Sequence, residues 1–501
     1  MKNPTTIEWL RLVVLTVAIF ILITLAEVLQ STLKYRSEVT RKAVHLFTGL
    51  LIFFTPYLFQ SAIPPILIAV FFSSFNFICI RFGYFQSIHG STQKSYGTVY
   101  YPLAFLILIL LFWPTYSFII QISFLILAIS DSLAAIVGQH FNHPKAYSFT
   151  KEIKSLEGSI AFACSSFLLL VFSLYFLPAP LLQMISLTKI IIIALVGSVF
   201  TTFMEALSWR GSDNLTIPLG AAFILHFLLT SSPDENIQLF IGFILAGFVA
   251  LLSFRQHFLD PGGAAGTFVI GVIIFGVGGL EWAIPILVFF ISSSLLSKLW
   301  QNRKKTFNLL YEKSSTRDIG QVLANGAIAC LTVFLFYGSG KEYWFVVFLG
   351  SVAAVTADTW ATEIGSLSKS LPRLITTLKP VDSGTSGAVS LLGTTASIVG
   401  GIFIAVIGLG LSGSFYYDPF LLISLISIAA LLGSSIDSLI GATLQAQYQC
   451  DLCKKMTERS THCNGKPTTH SRGLKWLTND IVNFICAFAG GVFVLIGLQF
   501  I

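Results

Sequence analysis

Long apolar stretches recur along almost the whole chain, and they constrain its fold more than any other feature. About sixteen of them are each roughly 16–25 residues long, the length that an α-helix needs to cross the hydrocarbon core of a bilayer. The chain has 501 residues, of which 55% are hydrophobic and 11% are charged. A soluble fold of this length could not bury so much apolar surface. The sequence therefore predicts an all-α polytopic membrane protein.

The predicted spans form two sets of eight. The first set is 8–30, 43–59, 61–80, 98–113, 116–139, 157–177, 188–207 and 215–230. The second set is 236–253, 264–280, 282–299, 319–337, 343–363, 385–411, 417–445 and 479–501. The first span is too long for the apolar core of a signal peptide, so we expect it to remain as a helix. This layout predicts two membrane domains, 1–232 and 233–501, with a Cys/His loop at 446–478 in the second.

The distribution of basic residues predicts the orientation of these spans. Of the 30 Lys and Arg residues, all but four fall in loops on one face of the membrane; the exceptions are Lys2, Arg11, Lys189 and Lys341. Under the positive-inside rule the basic face is cytoplasmic and both termini lie outside, and we expect the membrane to be the cell inner membrane. The net charge of +7 then reflects cytoplasmic loops and does not require a nucleic-acid partner.

The two sets of spans carry corresponding polar positions in the same order. The correspondences are 95–98 with 318–321, Asp131 with Asp358, Gly158 with Gly387, and Glu205 with Asp437, at separations of 223 to 232 residues. Because each set has an even number of spans, two copies of one unit would share the same orientation. The sequence therefore predicts two parallel repeats of about eight helices.

Polar residues at the cytoplasmic ends of the first eight spans predict a phosphate-handling site. A carboxylate inside an apolar helix is costly and by default indicates function, and lysines with Gly–Ser turns at helix starts suit phosphate. The candidate catalytic residues are Asp131, Lys154, Glu157 and Glu205. The candidate nucleotide or phosphate ligands are Lys42, His45, Ser95, Gly97, Gly158, Ser159, Asp213 and Asn214.

The last eight spans carry a second candidate site of the same kind. Its candidate catalytic residues are Asp358, Glu363, Lys379 and Asp437. Its candidate nucleotide or phosphate ligands are Arg317, Asp318, Gln321, Asn325, Asp382, Ser383, Gly384, Thr385, Ser386, Gly387, Asn479 and Asp480. Mg²⁺ prefers oxygen ligands and keeps nucleotide phosphates in the rest of its shell. The candidate Mg²⁺ ligands are Asp131, Glu205, Asp358 and Asp437.

These patterns also have purely structural interpretations. Arg41-Lys42 is most simply a positive-inside anchor, with His45 a residue at a helix end, and the four intramembrane carboxylates could pair with lysines for packing alone. Gly–Ser turns are common between spans, and here only their position after a basic loop favours phosphate binding. No P-loop, protein-kinase or dinucleotide motif occurs in the sequence.

The Cys/His loop predicts a metal site. Cys450 and Cys453 are followed by His462 and Cys463, a spacing that suits Zn²⁺ with thiolate and imidazole ligands in a reducing compartment. The seven cysteines of the chain do not form a disulfide framework. The alternative is a loop of reduced thiols whose basic residues contact lipid head groups.

Several short motifs connect the chain to known enzymes. RKAVHLFTG, SDSLAAIVGQ, KSLEGSIAF and MEALSWRGSDNLTIPLG, over about residues 35–230, resemble the phytol kinase and dolichol kinase family of CTP-dependent prenol kinases. From about residue 240 the chain is similar to the family that contains plant phytyl-phosphate kinase. The motifs that carry this similarity are GGAAGTFVIG, RDIGQVLANG, ADTWATEIG, PVDSGTSGAVS, GATLQAQYQC and NDIVNF.

The resemblance implies two successive phosphorylations on one polypeptide. The first half would convert an isoprenoid alcohol (phytol, geranylgeraniol or farnesol) to its monophosphate with CTP. The second half would form the diphosphate with CTP, ATP or UTP, and the pathway would salvage isoprenoids. Two alternatives stay open. One is cytidylyl transfer to a lipid phosphate, and the other is transport of a lipid or solute, since repeats with intramembrane acids are typical of carriers. The clustering of the acids at one face favours an enzyme.

Overall fold

The computed structural model describes residues 2–33, 37–84, 95–182, 185–299, 316–412, 417–454, 456–458, 461–463 and 466–501. The chain divides into two compact units, Met1–Ser232 and Pro233–Ile501. We refer to them as the first and the second unit.

The described residues of the first unit form eight helices. They are α1 (Thr6–Leu33), α2 (Ser37–Leu58), α3 (Ile63–Phe82), α4 (Gly97–Phe112), α5 (Ser117–His140), α6 (Leu156–Phe176), α7 (Leu187–Ala206) and α8 (Asp213–Thr230). Between α5 and α6, strands β1 (Ala146–Tyr147) and β2 (Lys154–Ser155) pair antiparallel. Helix α5 contains a π-helical turn at Ile126–Ser130.

Eight further helices lie in the part of the second unit that the structure describes. They are α9 (Pro233–Arg255), α10 (Pro261–Gly278), α11 (Leu280–Leu299), α12 (Ile319–Ser339), α13 (Tyr343–Gly365), α14 (Leu391–Leu411), α15 (Pro419–Thr443) and α16 (Asn479–Gly497). Strands β3 (Arg373–Leu374) and β4 (Ala388–Val389) pair antiparallel between α13 and α14. Between α15 and α16 lie β5 (Gln447–Gln449), β6 (Met456–Thr457), β7 (Thr461–His462), β8 (Lys466–Pro467) and β9 (Thr469–Arg472).

The predicted all-α membrane fold is confirmed. Within the described ranges, fourteen helices are long and apolar enough to cross a membrane, and α2 and α4 coincide with the other two predicted segments. In the second unit, the predicted and observed helix starts differ most for α14. This helix is predicted to begin at 385 and begins at Leu391. Just before α14, the positive φ of Gly384 and Gly387 and the extended strand β4 interrupt a continuous helix. The parallel-repeat arrangement stays a prediction.

One helix is buried on all sides in each unit. In α5 every residue from Phe118 to Phe124 is buried, and in α13 every residue from Phe345 to Ala357. A helix that is apolar all round belongs in a core rather than at a lipid-facing surface. Asp131 and Asp358 follow these buried runs along the same two helices, so the carboxylates are held by the best-packed helix of each unit.

In the first unit the end of α5 packs on the start of α6 through glycines. A Cβ added to Gly138 would lie 2.6 Å from Ser155 Oγ, and a Cβ on Gly158 would lie 2.8 Å from the Ala134 carbonyl oxygen. Ser155 caps α6 by accepting a hydrogen bond from the Gly158 amide at 3.1 Å. The hairpin and α6 are therefore fixed against the polar end of α5.

The second unit has the same local geometry. A Cβ on Gly365 would lie 3.1 Å from both Ser390 Oγ and Gly393 Cα. Ser390 caps α14 by accepting a hydrogen bond from the Gly393 amide at 3.1 Å. By geometry Gly158 therefore corresponds to Gly393, and the predicted correspondence with Gly387 is wrong. The turn before α14 is longer than the one before α6, which shifts the register.

Candidate active sites

A first cluster in the first unit joins α2 to α5. The Lys42 ammonium is ion-paired with the Asp131 carboxylate and also donates to the Asp131 carbonyl oxygen at 3.3 Å. His45 Nε2 lies 3.8 Å from Asp131 Oδ2 and 3.1 Å from the Leu127 carbonyl oxygen, within the π-helical turn of α5. Asp131 is only 7% exposed, so its charge has been removed from water and needs this pairing.

A second cluster joins β2, α6 and α7. Lys154 Nζ donates to Glu205 Oε1 at 2.5 Å, and Ser159 Oγ donates to Glu205 Oε2 at 3.4 Å. Burial lowers the pKa of Lys154, but the charges of Glu205, Asp213 and Asp131 outweigh this effect and raise the pKa above its ordinary value. Lys154 is therefore a permanent cation within electrostatic range of all three carboxylates.

The starts of α4 and α8 meet close to these clusters. A Cβ on Gly97 would lie 2.4 Å from Asn214 Nδ2, and a Cβ on Gly211 would lie 2.6 Å from Gly97 Cα. Ser95 Oγ donates to the Arg210 carbonyl oxygen at 3.2 Å. Amide groups at a helix start favour anions. Ser95, Gly97 and Asn214 therefore lie where two helix starts converge, as phosphate contacts would require.

The close approach at Gly211 gives a stability prediction. We expect Gly211→Ala to lower the unfolding free energy by about 1–3 kcal/mol more than Gly83→Ala. Both glycines have similar positive φ, 83° and 78°, so both variants carry the same left-handed strain. Only at Gly211 would the new Cβ overlap the Gly97 backbone; at Gly83 nothing lies within 4 Å. Thermal unfolding in detergent measures the difference, and equal effects would contradict the packing argument.

An apolar cavity begins at this polar region of the first unit. Its polar end is lined by Arg41, His45, Ser95, Gly97 and Asn214. Its remaining wall is largely apolar and is formed by α1 to α4, including Leu15, Ile19, Ile23, Leu51, Ile68 and Phe72. A cavity with one charged end and hydrocarbon walls suits an amphipathic molecule with a small polar head.

Glu157 has a structural position outside these clusters. Its carboxylate accepts two hydrogen bonds from the Lys145 amide, at 3.0 and 3.2 Å, and the residue is half-buried. It therefore holds the β1–β2 hairpin to the start of α6. Asp213 accepts a hydrogen bond from the Asn214 amide at 2.9 Å, at the start of α8.

The second unit contains a polar cavity of 410 Å³. The predicted residues that line it are Arg317, Gln321, Asn325, Asp358, Glu363, Ser383, Gly384, Thr385, Ser386, Gly387, Asp437 and Asn479. Residues that sequence reasoning missed also line it, among them Ser297, Ser434, Gln445, Glu458 and Asn483. Ser434 lies three residues before Asp437, on the same face of α15, and this helical spacing could have identified it.

Two half-buried carboxylates, those of Asp358 and Asp437, line this polar cavity. Ser434 Oγ donates to Asp358 Oδ1 at 3.5 Å. The Asp437 Oδ2 atom is buried and has no hydrogen-bond partner among the described residues. Asp358 and Glu458 act electrostatically on Asp437, and no ion pair within the described ranges involves either aspartate. A buried carboxylate oxygen without a partner fits a divalent cation with oxygen ligands.

The first unit differs in this respect. Asp131 and Glu205, the other two predicted Mg²⁺ ligands, each have a lysine at the carboxylate. Asp131 is paired through Oδ2 and Glu205 through Oε1, and Mg²⁺ binding by these two residues stays a prediction. Positive charge in the first unit is supplied by the lysines themselves.

The turn at 383–387 lies against the end of α15. A Cβ on Gly387 would lie 2.5 Å from the Ala442 amide nitrogen and the Ser438 carbonyl oxygen. Ser386 Oγ donates to Gln445 Oε1 at 2.9 Å. Positive φ at Gly384 and Gly387 curls the backbone of this turn, and turns of this kind direct successive amides toward one side, as anion sites do.

A second, apolar cavity of 190 Å³ adjoins the polar cavity. Its apolar wall includes Leu245, Ile270, Ile274, Leu287 and Phe290. Arg317, Gln321 and Asn325 line both cavities. Burial lowers the pKa of Arg317 to about 10, with the charge of Glu363 acting in the opposite direction, so the guanidinium stays charged at neutral pH. A cation therefore marks the junction between a polar and an apolar cavity.

Four predicted residues do not line the polar cavity. Asp318 caps α12 by accepting a hydrogen bond from the Gln321 amide at 3.0 Å. Lys379 and Asp382 are exposed on the β3–β4 connection, and Asp480 lies in the first turn of α16.

The Cys/His loop brings four predicted ligands together. The ligand atoms of Cys450, Cys453, His462 and Cys463 all lie within 4.8 Å of one another. Among the described residues no other group of three or more His, Cys, Asp or Glu side chains is as close. His470 lies apart from this group, with its ring against Tyr448.

Membrane-spanning helices, clusters of charge at their ends and adjoining apolar cavities define an integral membrane protein suited to amphipathic molecules. Residues 244–491 match the family described as integral membrane protein DUF92. The chain belongs to this family, since it is 30% identical over 273 residues to Protein PGR of Arabidopsis thaliana, covering 50% of this chain and 93% of that protein.

Two further relatives bear on function. Phytol kinase of Synechocystis is 28% identical over 228 residues, which cover 44% of this chain and 94% of that protein. Protein VTE6, chloroplastic, of Arabidopsis thaliana is 27% identical over 248 residues, which cover 48% of this chain and 66% of that protein. No solved structure matches the chain.

Proposed function

We propose that this protein is a membrane phosphotransferase that acts on isoprenoid alcohols and on prenyl phosphates. The observation that carries the proposal is similar in both units: an apolar cavity has an arginine at its polar end, Arg41 in the first unit and Arg317 in the second. An isoprenoid chain in the apolar cavity would place its head group at the charged end. The relative named phytol kinase supports this class of substrate.

The first unit would phosphorylate the alcohol. The hydroxyl oxygen attacks the terminal phosphorus of a nucleoside triphosphate, the bond to the departing nucleoside diphosphate breaks, and the hydroxyl proton passes to a carboxylate. Asp131 is the carboxylate nearest to the cavity residue His45. Lys42 and Lys154 would neutralise charge on the transferred group. By the resemblance of its motifs to prenol kinases, the donor is CTP.

The second unit would phosphorylate the resulting monophosphate. Arg317, at the junction of the two cavities, is placed to hold the lipid phosphate while the isoprenoid chain occupies the apolar cavity. The 383–387 turn would hold the nucleotide phosphates. Mg²⁺ held by Asp358 and Asp437 would supply positive charge to those phosphates. Under the positive-inside rule both sites face the cytoplasm, where the nucleotide is available.

The position of the transferred label tests this proposal. Full-length protein in detergent or vesicles is incubated with phytol, geranylgeraniol or farnesol and CTP labelled at the γ- or the α-phosphate. We expect γ-label on the prenyl monophosphate and diphosphate, and no α-label on any lipid. Parallel reactions with ATP and UTP identify the donor for each step.

The other outcomes would each contradict the proposal. Appearance of α-label on the lipid would identify a cytidylyltransferase, because CMP and not phosphate would then be transferred. Absence of both labels, with flux of a charged solute or lipid across vesicles, would identify a transporter.

A further inference from the structure

The ligand set of the Cys/His loop is a closed one. Three thiols and one imidazole converge, and His462 Nδ1 lies 3.5 Å from Cys453 Sγ and 3.2 Å from Cys463 Sγ. Cys450 and His462 are buried. Four ligands of this type with no open position are typical of structural Zn²⁺, which takes Cys₃His tetrahedrally.

The strands of the loop connect this ligand set to one sheet. Cys450 directly follows β5, and β5 pairs with both β6 and β9. Tyr448 of β5 lies opposite Thr457 of β6 in this pairing. Along the chain β6 lies between Cys453 and His462, so it is flanked by a ligand on each side. A segment of this size has too few apolar residues for its own core, and small modules of this kind are commonly stabilised by a metal.

This sheet is anchored to the end of α15. Arg472 of β9 donates to Gln447 Oε1 at 2.9 Å and to the Ala442 carbonyl oxygen at 3.0 Å. Gln445, just before β5, accepts the hydrogen bond from Ser386 of the 383–387 turn. Glu458 follows β6 directly, lines the polar cavity and acts electrostatically on Asp437. The ligand set therefore flanks a carboxylate that belongs to the cavity.

We propose that Cys450, Cys453, His462 and Cys463 bind one Zn²⁺, and that this ion holds Glu458 at the polar cavity as a third negative charge for the divalent cation there. Without zinc, β6 and Glu458 would lose the constraint from both flanking ligands, and the cavity would attract cations less strongly. The cation part rests on the function proposed for the second unit, whereas the zinc part does not.

Zinc content tests the first part. We expect about one zinc per chain in the purified full-length protein, and less than about 0.2 after Cys453→Ser in metal-replete protein. Cys164→Ser is the matched control, because Cys164 is an exposed cysteine on α6 of the first unit. Iron in place of zinc, or full zinc content in Cys453→Ser, would overturn the assignment.

Mn²⁺ binding followed by electron paramagnetic resonance tests the second part without requiring enzyme activity. We expect Glu458→Gln to keep its zinc and to bind Mn²⁺ about fivefold or more weakly, because one charge near the cation is lost. Cys453→Ser should show a similar loss, and Cys164→Ser none. Unchanged Mn²⁺ affinity in Glu458→Gln, or no Mn²⁺ binding by the unaltered protein, would overturn the role of Glu458.

Kinase assays separate this inference from the proposed function. We expect Glu458→Gln and Cys453→Ser to slow conversion of prenyl monophosphate about tenfold or more. Their rate of alcohol phosphorylation should stay within about twofold of that of the unaltered protein. If the unaltered protein shows no kinase activity while Mn²⁺ affinity still falls in both variants, the proposed function fails and the zinc-dependent placement of Glu458 holds.

Discussion

Asp437→Asn should stop conversion of prenyl monophosphate to diphosphate, so that monophosphate accumulates when the alcohol is supplied. Asp437 has a buried carboxylate oxygen without a partner among the described residues, and it lines the polar cavity with Asp358. Removing one carboxylate that holds a catalytic cation costs on the order of 10²–10³-fold in rate. Asp358→Asn should have the same effect. Chromatography of γ-labelled lipid products measures both steps in one reaction.

The stability of Asp437→Asn provides a second signature. A buried carboxylate without a cationic partner is destabilising, so the neutral amide should leave the apparent Tm in metal-free buffer unchanged or raise it. The matched control is Asp382→Asn, since Asp382 is exposed and does not line the cavity. Both rates of this control should stay within about twofold of the unaltered protein. A normal second step in Asp437→Asn would exclude this carboxylate from the reaction.

Asp131→Asn should abolish formation of the monophosphate while leaving conversion of added prenyl monophosphate nearly intact. The carboxylate is ion-paired with Lys42 and is the acid closest to His45 at the polar end of the first apolar cavity. We expect a loss of about 10²–10³-fold. Unlike Asp437→Asn, this variant should lower the apparent Tm, because it leaves the Lys42 ammonium without its partner in a largely buried site.

Lys154→Ala tests the other pair of the first unit. It removes the cation bonded to Glu205 and should also stop the first step alone. Lys189→Ala is the control, because Lys189 is a partly exposed lysine at the start of α7, at the end opposite to Glu205. Loss of both reactions in well-folded Asp131→Asn or Lys154→Ala protein would show that the two units do not carry separate reactions.

The two sites differ in how their acids are neutralised, and this difference matches the charges of the two proposed substrates. In the first unit lysines are bonded to Asp131 and Glu205, whereas Asp358 and Asp437 of the second unit form no ion pair among the described residues. In the proposed first reaction the alcohol brings no charge, so fixed lysines would suffice to receive the nucleotide. A monophosphate brings its own negative charge, and Arg317 with a divalent cation would supply additional positive charge for two phosphate groups in one cavity.

Much of the site could be predicted from the sequence because charged residues stand out in apolar helices. Asp131, Glu205, Asp358 and Asp437 were identified in this way, and the structure places each of them at a charged cluster or cavity. The predictions were less successful in loops. Lys379 and Asp382 were chosen for their charge beside a Gly–Ser turn, yet both side chains are exposed, since loop composition does not specify the direction in which a side chain points.

The sequence by itself determined the membrane fold, the positions of sixteen helices and the four central acids, because helix length, apolarity and an isolated charge are local properties. Only the tertiary structure decided how those acids are paired. Lys42 lies 89 residues from Asp131, and Lys154 lies 51 residues from Glu205. Glu458 reaches the polar cavity from within the Cys/His loop. Such partners are selected by the packing of distant helices and strands, and no local pattern of residues records which of them will meet.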